Sequence, residues 1–262
     1  MKPLNLFLWL TFGLFIVGFG ATGILISVHS PNYLVVLVQI VMAWVPTIAF
    51  AIIHRRAEPD KSFWRSVADR FATPIKLRPL LASILIPVLA ISIVWIAYSG
   101  ITHKPLFDLI AKLSAGSILL IFLDGLIRGP LGEELGWRGY LQLELNKRFS
   151  LLKSSLLVGT IWGMWHLPLW FVSGFQGANL LLYIVFFLAG LISFSVIIGF
   201  VYGRGGNLLY PILLHQMLNF TGRLLNVDEL IVLGGSSAVY VVMAFVIGFR
   251  SLTSMRGEVA PQ

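Results

Sequence analysis

The chain carries one apolar run after another, each close to the length that crosses a bilayer. A spanning helix needs roughly 20 predominantly apolar residues. Such segments lie at 6–28, 32–53, 80–101, 113–133, 152–172, 179–201, 208–225 and 229–249. Hydrocarbon offers no water to the backbone, so each run must close its own hydrogen bonds as a helix. The sequence therefore predicts an all-α, polytopic membrane protein of about eight transmembrane helices. Composition points the same way: 58% of the 262 residues are hydrophobic and 11% charged. Soluble domains are about half apolar and a quarter charged, so this chain lacks the polar residues to cover a water-facing surface. The first run, Leu6 to Val28, exceeds a signal-peptide apolar region and follows a single Lys2, which predicts a retained helix. No internal repeat or low-complexity segment interrupts the pattern, so residues 1–262 read as one membrane domain. There is no cysteine, which excludes disulfides, thiolate metal sites and a cysteine nucleophile.

The net charge of +8 does not indicate nucleic acid, because the basic residues sit in the loops between apolar runs, as membrane anchors do. Segment 54–79 holds Arg55, Arg56, Lys61, Arg65, Arg70, Lys76 and Arg78. With eight spans, the same side receives Lys2, Arg138, Lys147, Arg148, Lys153, Arg204, Arg250 and Arg256, and the other side only Lys104, Lys112 and Arg223. Arg128 falls inside a span. The asymmetry predicts cytoplasmic termini in a cell membrane. Segment 137–149, WRGYLQLELNKRF, alternates apolar and polar positions and is expected to lie as a helix in the cytoplasmic interface.

Ionisable groups inside spans are costly and mark function by default. Three clusters qualify: Gly132-Glu133-Glu134-Leu135-Gly136-Trp137-Arg138, Trp162-Gly163-Met164-Trp165-His166, and His215-Gln216-Met217-Leu218-Asn219. Glu134 and Arg138 are four apart, so they share a helix face and can pair. Glu133 is turned about 100° from Glu134 and can face a different cavity. His215 and Asn219 also share a face. Trp162, one turn from His166, can shield it from lipid. Pro130, Pro168 and Pro211 flank the clusters and can break or bend the helices there. A carboxylate can deprotonate water, a histidine beside it can position that water, and His and Asn donors can stabilise an oxyanion. Two imidazoles and a carboxylate could also hold zinc.

Plainer roles compete with these. A lone intramembrane histidine commonly serves as a hydrogen-bonding group between helices, and a Glu four residues before an Arg is commonly a plain pair. Costly groups on three separate spans, however, call for a shared explanation. Asp124 and Arg128, also four apart, are expected to form a buried structural pair. His29, His54 and His103 fall in loops and receive no role.

The series EExxxR, aromatic-xxx-His and HxxxN, each on its own span, resembles the CPBP family of CAAX-prenyl-protease and bacteriocin-processing membrane endopeptidases, also called Abi. The resemblance covers about residues 113–225, with 1–112 and 226–262 as peripheral helices and tail. Trp162 stands where the family usually has Phe, which reads as a mild change. The resemblance implies that Glu133 activates the attacking water with His166 as its partner, that His215 and Asn219 form the oxyanion hole, and that Glu134 and Arg138 support the site. It implies a membrane-associated protein or peptide substrate and a site opening towards the cytoplasm of a prokaryotic cell. Metal dependence stays open between a zinc site built from Glu133, His166 and His215 and a metal-free glutamate mechanism; HExxH is absent. A non-catalytic immunity or scaffolding protein of the same fold is an alternative. A proton-coupled transporter is another, although it would predict inverted repeats.

Overall fold

The computed structural model describes residues 1–257, with side chains to Arg250. The side chain of Arg256 and the C-terminus at Gln262, both part of the topology reading, lie outside the described residues. The elements are α1 (Pro3–Ser27), α2 (Asn32–Ala43), α3 (Val45–Ala57), α4 (Phe63–Phe71), α5 (Leu77–Thr102), α6 (Ala115–Ile127), α7 (Pro130–Gly136), α8 (Leu143–Asn146), α9 (Leu151–Trp165), α10 (Leu167–Trp170), α11 (Gly177–Gly205), α12 (Leu209–Thr221) and α13 (Glu229–Gly257). A π-helical turn, Trp137–Gln142, joins α7 to α8. Among the described residues there is no strand, only an isolated bridge between Ile110 and Leu225. The chain is thus an all-α, polytopic integral membrane protein.

Helices fill all eight apolar segments, but not all are equally long. Among the described residues, five stretches are long and apolar enough to cross a membrane: Pro3–Ser27, Leu77–Thr102, Ala115–Asn146, Gly177–Gly205 and Glu229–Arg250. The α2–α3 pair, bent by 50°, makes a sixth if counted as one span. The bend falls at Trp44, just before Pro46 in the first turn of α3, where the missing N–H costs nothing. The 15 residues of α9 and the 13 of α12 rise about 22 and 20 Å at 1.5 Å per residue. That is short of a core about 30 Å thick. Both are prolonged by other structure, α9 by α10 and α12 by the 3-10 turn Gly222–Leu224.

Contacts between loops define two ends of the bundle. At one, Arg70 Nε donates to the Gly139 carbonyl at 2.6 Å. There too, Asn207 Nδ2 donates to the carbonyls of Phe71 and Thr73 at 2.8 and 2.7 Å. These bonds gather segments 54–79, 137–150 and 203–208. The start of α1 joins them, Phe7 packing on Tyr140 at 4.9 Å between ring centroids. At the other end, Ala111 N–H donates to Leu224 O and Asn226 N–H to Leu109 O, at 2.9 and 2.7 Å. The loops bearing Lys104, Lys112 and Arg223 therefore meet at one end and segment 54–79 lies at the other, the grouping the charge asymmetry requires.

Two expectations need correction. Segment 137–149 is helical but does not lie in an interface over its first half: Trp137, Arg138, Gly139, Tyr140, Leu141 and Gln142 are all buried. Its alternation misleads because α1, α3, α9 and α11 surround the π-turn, so polar and apolar positions alike are enclosed. His54 is not in a loop but in the last turn of α3. It is buried, with Nε2 2.8 Å from Ser66 Oγ, whose hydroxyl donates to Glu58 at 2.6 Å.

Candidate active site

The site grows from the break between α6 and α7. α6 ends at Ile127, whose carbonyl accepts the Trp44 indole N–H at 3.0 Å. Gly129 and Pro130 then restart the helix. A Cβ at Gly129 would stand 2.7 Å from Asn219 Nδ2 and 2.9 Å from the Gly125 carbonyl, so only glycine lets α12 come this close. One turn on, Gly132 and Gly136 form a GxxxG face. Added Cβ atoms would meet the Ala43 carbonyl at 2.7 Å and the Pro46 backbone at 2.5 Å. Small residues at this spacing let membrane helices approach backbone to backbone. They seat α7 on the α2–α3 bend and so fix where the two glutamates point.

The two adjacent carboxylates have different surroundings. Glu133 Oε2 accepts two indole N–H donors, Trp162 at 2.7 Å and Trp137 at 3.3 Å. Its Oε1 makes no hydrogen bond among the described residues, and Glu133 lines a cavity of about 300 Å³. Glu134 is fully buried and faces inward. Its Oε1 accepts from Arg138 at 3.0 Å and from His215 Nδ1 at 2.8 Å. The Arg138 guanidinium is also fully buried and lies over the Trp162 ring at 4.4 Å. Trp162 thus touches nearly every member of the site, with its ring 4.8 Å from that of His215 and 6.2 Å from that of His166. The indole N–H on Glu133 is a bond that phenylalanine cannot make, so Trp162 is more than the mild change the sequence suggests. Nor is it a lipid shield, being fully buried.

Hydrogen bonding sets the state of both imidazoles. His166 Nδ1 lies 2.8 Å from the Trp162 carbonyl. A carbonyl can only accept, so Nδ1 carries the proton and Nε2 offers a lone pair when the ring is neutral. His215 Nδ1 donates to the Glu134 carboxylate, which leaves Nε2 as its working atom. His166 is the C-cap of α9, at the break before α10. A second cavity, of about 530 Å³, is lined by Trp162, His166, His215 and Asn219. His166, Asn219 and Arg223 line both cavities, so the four residues from three helices surround one divided space.

Both cavities reach Arg223, at the end opposite segment 54–79. A cleft of about 460 Å³ on the 54–79 side, lined by Glu58, Arg70, Gly139 and Tyr140 among others, touches none of the four. The expected opening on that side is therefore not where the cavities lead, because the buried π-turn Trp137–Gln142 closes it. The Asp124–Arg128 pair exists, at 2.5 Å, but is about one-third exposed rather than buried, and Arg223 joins it at 3.4 Å from Asp124. Sequence reasoning passed over Trp137, Gly129 and the Gly132–Gly136 face. The GxxxG spacing was the signal available for the last.

A zinc site from Glu133, His166 and His215 does not fit this geometry. Among the described residues no three His, Asp or Glu side chains are arranged to hold a metal ion.

Residues 115–221, the stretch that holds all four residues, match the family described as Rce1-like, type II CAAX prenyl endopeptidase. The chain is also 30% identical over 151 residues to CAAX prenyl protease 2 of Methanococcus maripaludis. That match covers 56% of this chain and 54% of the relative, so the chain spans about half the length of the protein it matches. The core that carries Glu133, His166, His215 and Asn219 is thus similar to the Rce1-like CAAX prenyl endopeptidases.

Proposed function

We propose that the chain is an intramembrane endopeptidase that hydrolyses a peptide bond of a membrane-associated protein or peptide, with water activated by Glu133. The observation that carries this reading is the meeting of Glu133, His166, His215 and Asn219 around one divided cavity. Oε1 of Glu133 takes a proton from water while Nε2 of His166 accepts the water's other hydrogen and aims it. The oxygen attacks the carbonyl carbon, and the C=O electrons move onto its oxygen. Asn219 Nδ2–H stabilises that oxyanion, together with His215 Nε2–H. Because His215 Nδ1 already carries a proton, an Nε2–H means an imidazolium, for which Glu134 is the counter-charge. Glu133 then returns its proton to the amide nitrogen, the C–N bond breaks, and the new acid gives its remaining proton to the amine, so that a carboxylate and an ammonium leave. Arg138 holds Glu134 in place. No step calls on a metal.

The test is cleavage of a quenched, lipidated CaaX-type peptide by purified protein. Glu133→Gln should be inactive, because an amide cannot take the water's proton. Asn219→Ala should lose on the order of 100-fold to 1000-fold in turnover, the usual cost of one oxyanion donor. Activity should survive exhaustive chelation. A wild-type rate from Glu133→Gln refutes the reading, and activity that is lost on chelation and restored by zinc refutes its metal-free form. The same reading puts both termini and segment 54–79 in the cytoplasm of a prokaryotic cell. Since the chain has no cysteine, single cysteines at Ser30, Asp60 and Gln176 give a clean map. Labelling of the Asp60 position from outside intact cells refutes the orientation.

A further inference from the structure

The short helix α4, between α3 and α5, divides its faces sharply. Ser66 and Arg70 are buried, and Phe63 and Val67 pack against the core. Trp64, Ala68 and Phe71, at i, i+4 and i+7, share another face. All three are exposed, Trp64 to 77%. Ile75 and Leu77 continue this exposed apolar surface towards α5. The 26 residues of α5 rise about 39 Å at 1.5 Å per residue, more than a hydrocarbon core of about 30 Å. Lys76 and Arg78 anchor its first turn at headgroup depth, and α4 lies beside that turn. Charge adds to the case. Segment 54–79 carries seven Lys and Arg against three Asp and Glu. Two of the acids are already used: Glu58 pairs with Arg70, and Asp69 with Lys61 at 2.6 Å and Arg65 at 3.0 Å. Asp60 lines the mixed-charge cleft on this side, where Glu144 pairs with Lys147. Arg55, Arg56 and Arg78 are exposed and form no ion pair among the described residues. Unbalanced guanidiniums beside an exposed apolar helix face at headgroup depth fit an anionic, amphiphilic surface, which acidic phospholipid supplies.

The inner face of α4 is bonded to both parts of the site. Arg70 Nε donates to the carbonyl of Gly139, in the π-turn that carries Trp137 and Arg138. Leu208 N–H donates to the Arg70 carbonyl at 2.9 Å, and Asn207 Nδ2 donates to the carbonyls of Phe71 and Thr73. The end of α4 is thereby tied to the start of α12, which bears His215 and Asn219. We propose that α4, with Arg55, Arg56 and Arg78, docks on acidic phospholipid in the leaflet at this end of the bundle. The docked helix seats the π-turn and α12, so turnover rises with acidic lipid. The docking stands apart from the peptidase reading, and the effect on turnover rests on it.

Since the chain has no cysteine, a fluorophore on Ala68→Cys reports from the outer face of α4, and one on Gly100→Cys from the opposite end. Full-length protein is reconstituted into vesicles of phosphatidylcholine with a minority of phosphatidylglycerol, one lipid or the other carrying brominated chains as quencher. Quenching at position 68 should show phosphatidylglycerol enriched by about fivefold or more, the scale of one basic residue at an anionic surface. Position 100 should show no preference, and high salt should weaken the preference at 68. In Arg55→Gln/Arg56→Gln/Arg78→Gln the enrichment should vanish, and lysine at the same three positions should keep it. Equal quenching by the two lipids, or an unchanged preference in the glutamine variant, overturns the docking. So does the absence of quenching by either lipid, which would leave the face to a protein partner. Cleavage of the quenched peptide should rise about fivefold when phosphatidylglycerol is added, the effect of one such contact carried to the site. The glutamine variant should match the wild-type rate in phosphatidylcholine alone and show no rise. A wild-type rate indifferent to phosphatidylglycerol, or a rise shared by the glutamine variant, overturns the coupling while leaving the peptidase reading intact. Absence of cleavage in both lipids sinks the peptidase reading, and the quenching ratio then still decides the docking.

Discussion

Replacing Glu134 by glutamine removes one charge at nearly constant volume, and separates what this residue does for the fold from what it does for His215. In the folded protein Arg138 is fully buried. Its Nη1 has Glu134 at 3.0 Å, its face has Trp162 at 4.4 Å, and its Nε and Nη2 have no hydrogen-bond partner. Without the carboxylate's charge, the guanidinium keeps the indole face, worth up to about 2 kcal/mol when desolvated, and at most a neutral amide oxygen as acceptor. Breaking a buried pair from one side costs about 3–5 kcal/mol, because a charge is left without compensation. At about 2–4 °C per kcal/mol for a chain of this size, Glu134→Gln should lower the melting temperature in detergent by roughly 6–20 °C. Arg138→Met should do the same by leaving the anion behind. The Glu134→Gln/Arg138→Met double variant should be more stable than either single one, since removing both members of a buried pair is often neutral. Three buried polar atoms without partners, Glu134 Oε2 and Arg138 Nε and Nη2, become one uncharged amide. Peptide cleavage should not return with stability, because His215 Nδ1 still lacks its anionic acceptor. A double variant as unstable as the sum of the single losses would refute the coupling. A wild-type cleavage rate from Glu134→Gln would refute its role in supporting His215.

Three further outcomes follow from the same contacts. Trp162→Phe keeps an aromatic ring but removes the 2.7 Å donor on Glu133. With about 1.5–3 kcal/mol at stake it should cut kcat/KM by roughly 10- to 100-fold, and an unchanged rate in a folded variant would show that the indole N–H is idle. Gly136→Leu drives side-chain atoms into the Pro46 backbone, 2.5 Å from an ideal Cβ. It should abolish folding or expression, whereas Gly100→Leu, with nothing within 4 Å, should be tolerated. Burial pushes the Glu58 carboxyl up, but hydrogen bonds from Arg70 and Ser66, with the Arg70 charge, outweigh it and hold the group below the usual carboxylate range. Its contribution is therefore complete above that range and is lost as pH falls through the lowered value. Acid melting should show this loss and Glu58→Gln should not.

The legible part of this protein lies in its periodic and costly features. Each apolar run became a helix, since no other backbone state satisfies itself in lipid. The i,i+4 spacing of Glu134 and Arg138, and of His215 and Asn219, foretold a pair and a shared cavity wall. Glu133, His166 and His215 stood out because ionisable groups are rare inside such runs, and Asn219 because it lies one turn from His215. What misled was local pattern taken without neighbours. The alternation of 137–149 reads as an interfacial helix, yet its first six residues are enclosed by other helices. Trp162 reads as a bulky stand-in for Phe until its N–H is seen on Glu133. Asp124 and Arg128 read as a closed pair until Arg223 arrives from a residue nearly a hundred positions away.

The sequence by itself determined the all-α membrane character, the two-sided distribution of charge and the placing of costly polar groups on three separate spans, because hydrocarbon punishes every unpaired polar group wherever it falls along the chain. Only tertiary structure decided which partner each of those groups found. Glu133 turned to two tryptophans, and Glu134 to Arg138 and His215. The division rests on the GxxxG face of α7 meeting the α2–α3 bend, and on Gly129 meeting Asn219. These are contacts between helices far apart in sequence, and no local periodicity encodes them.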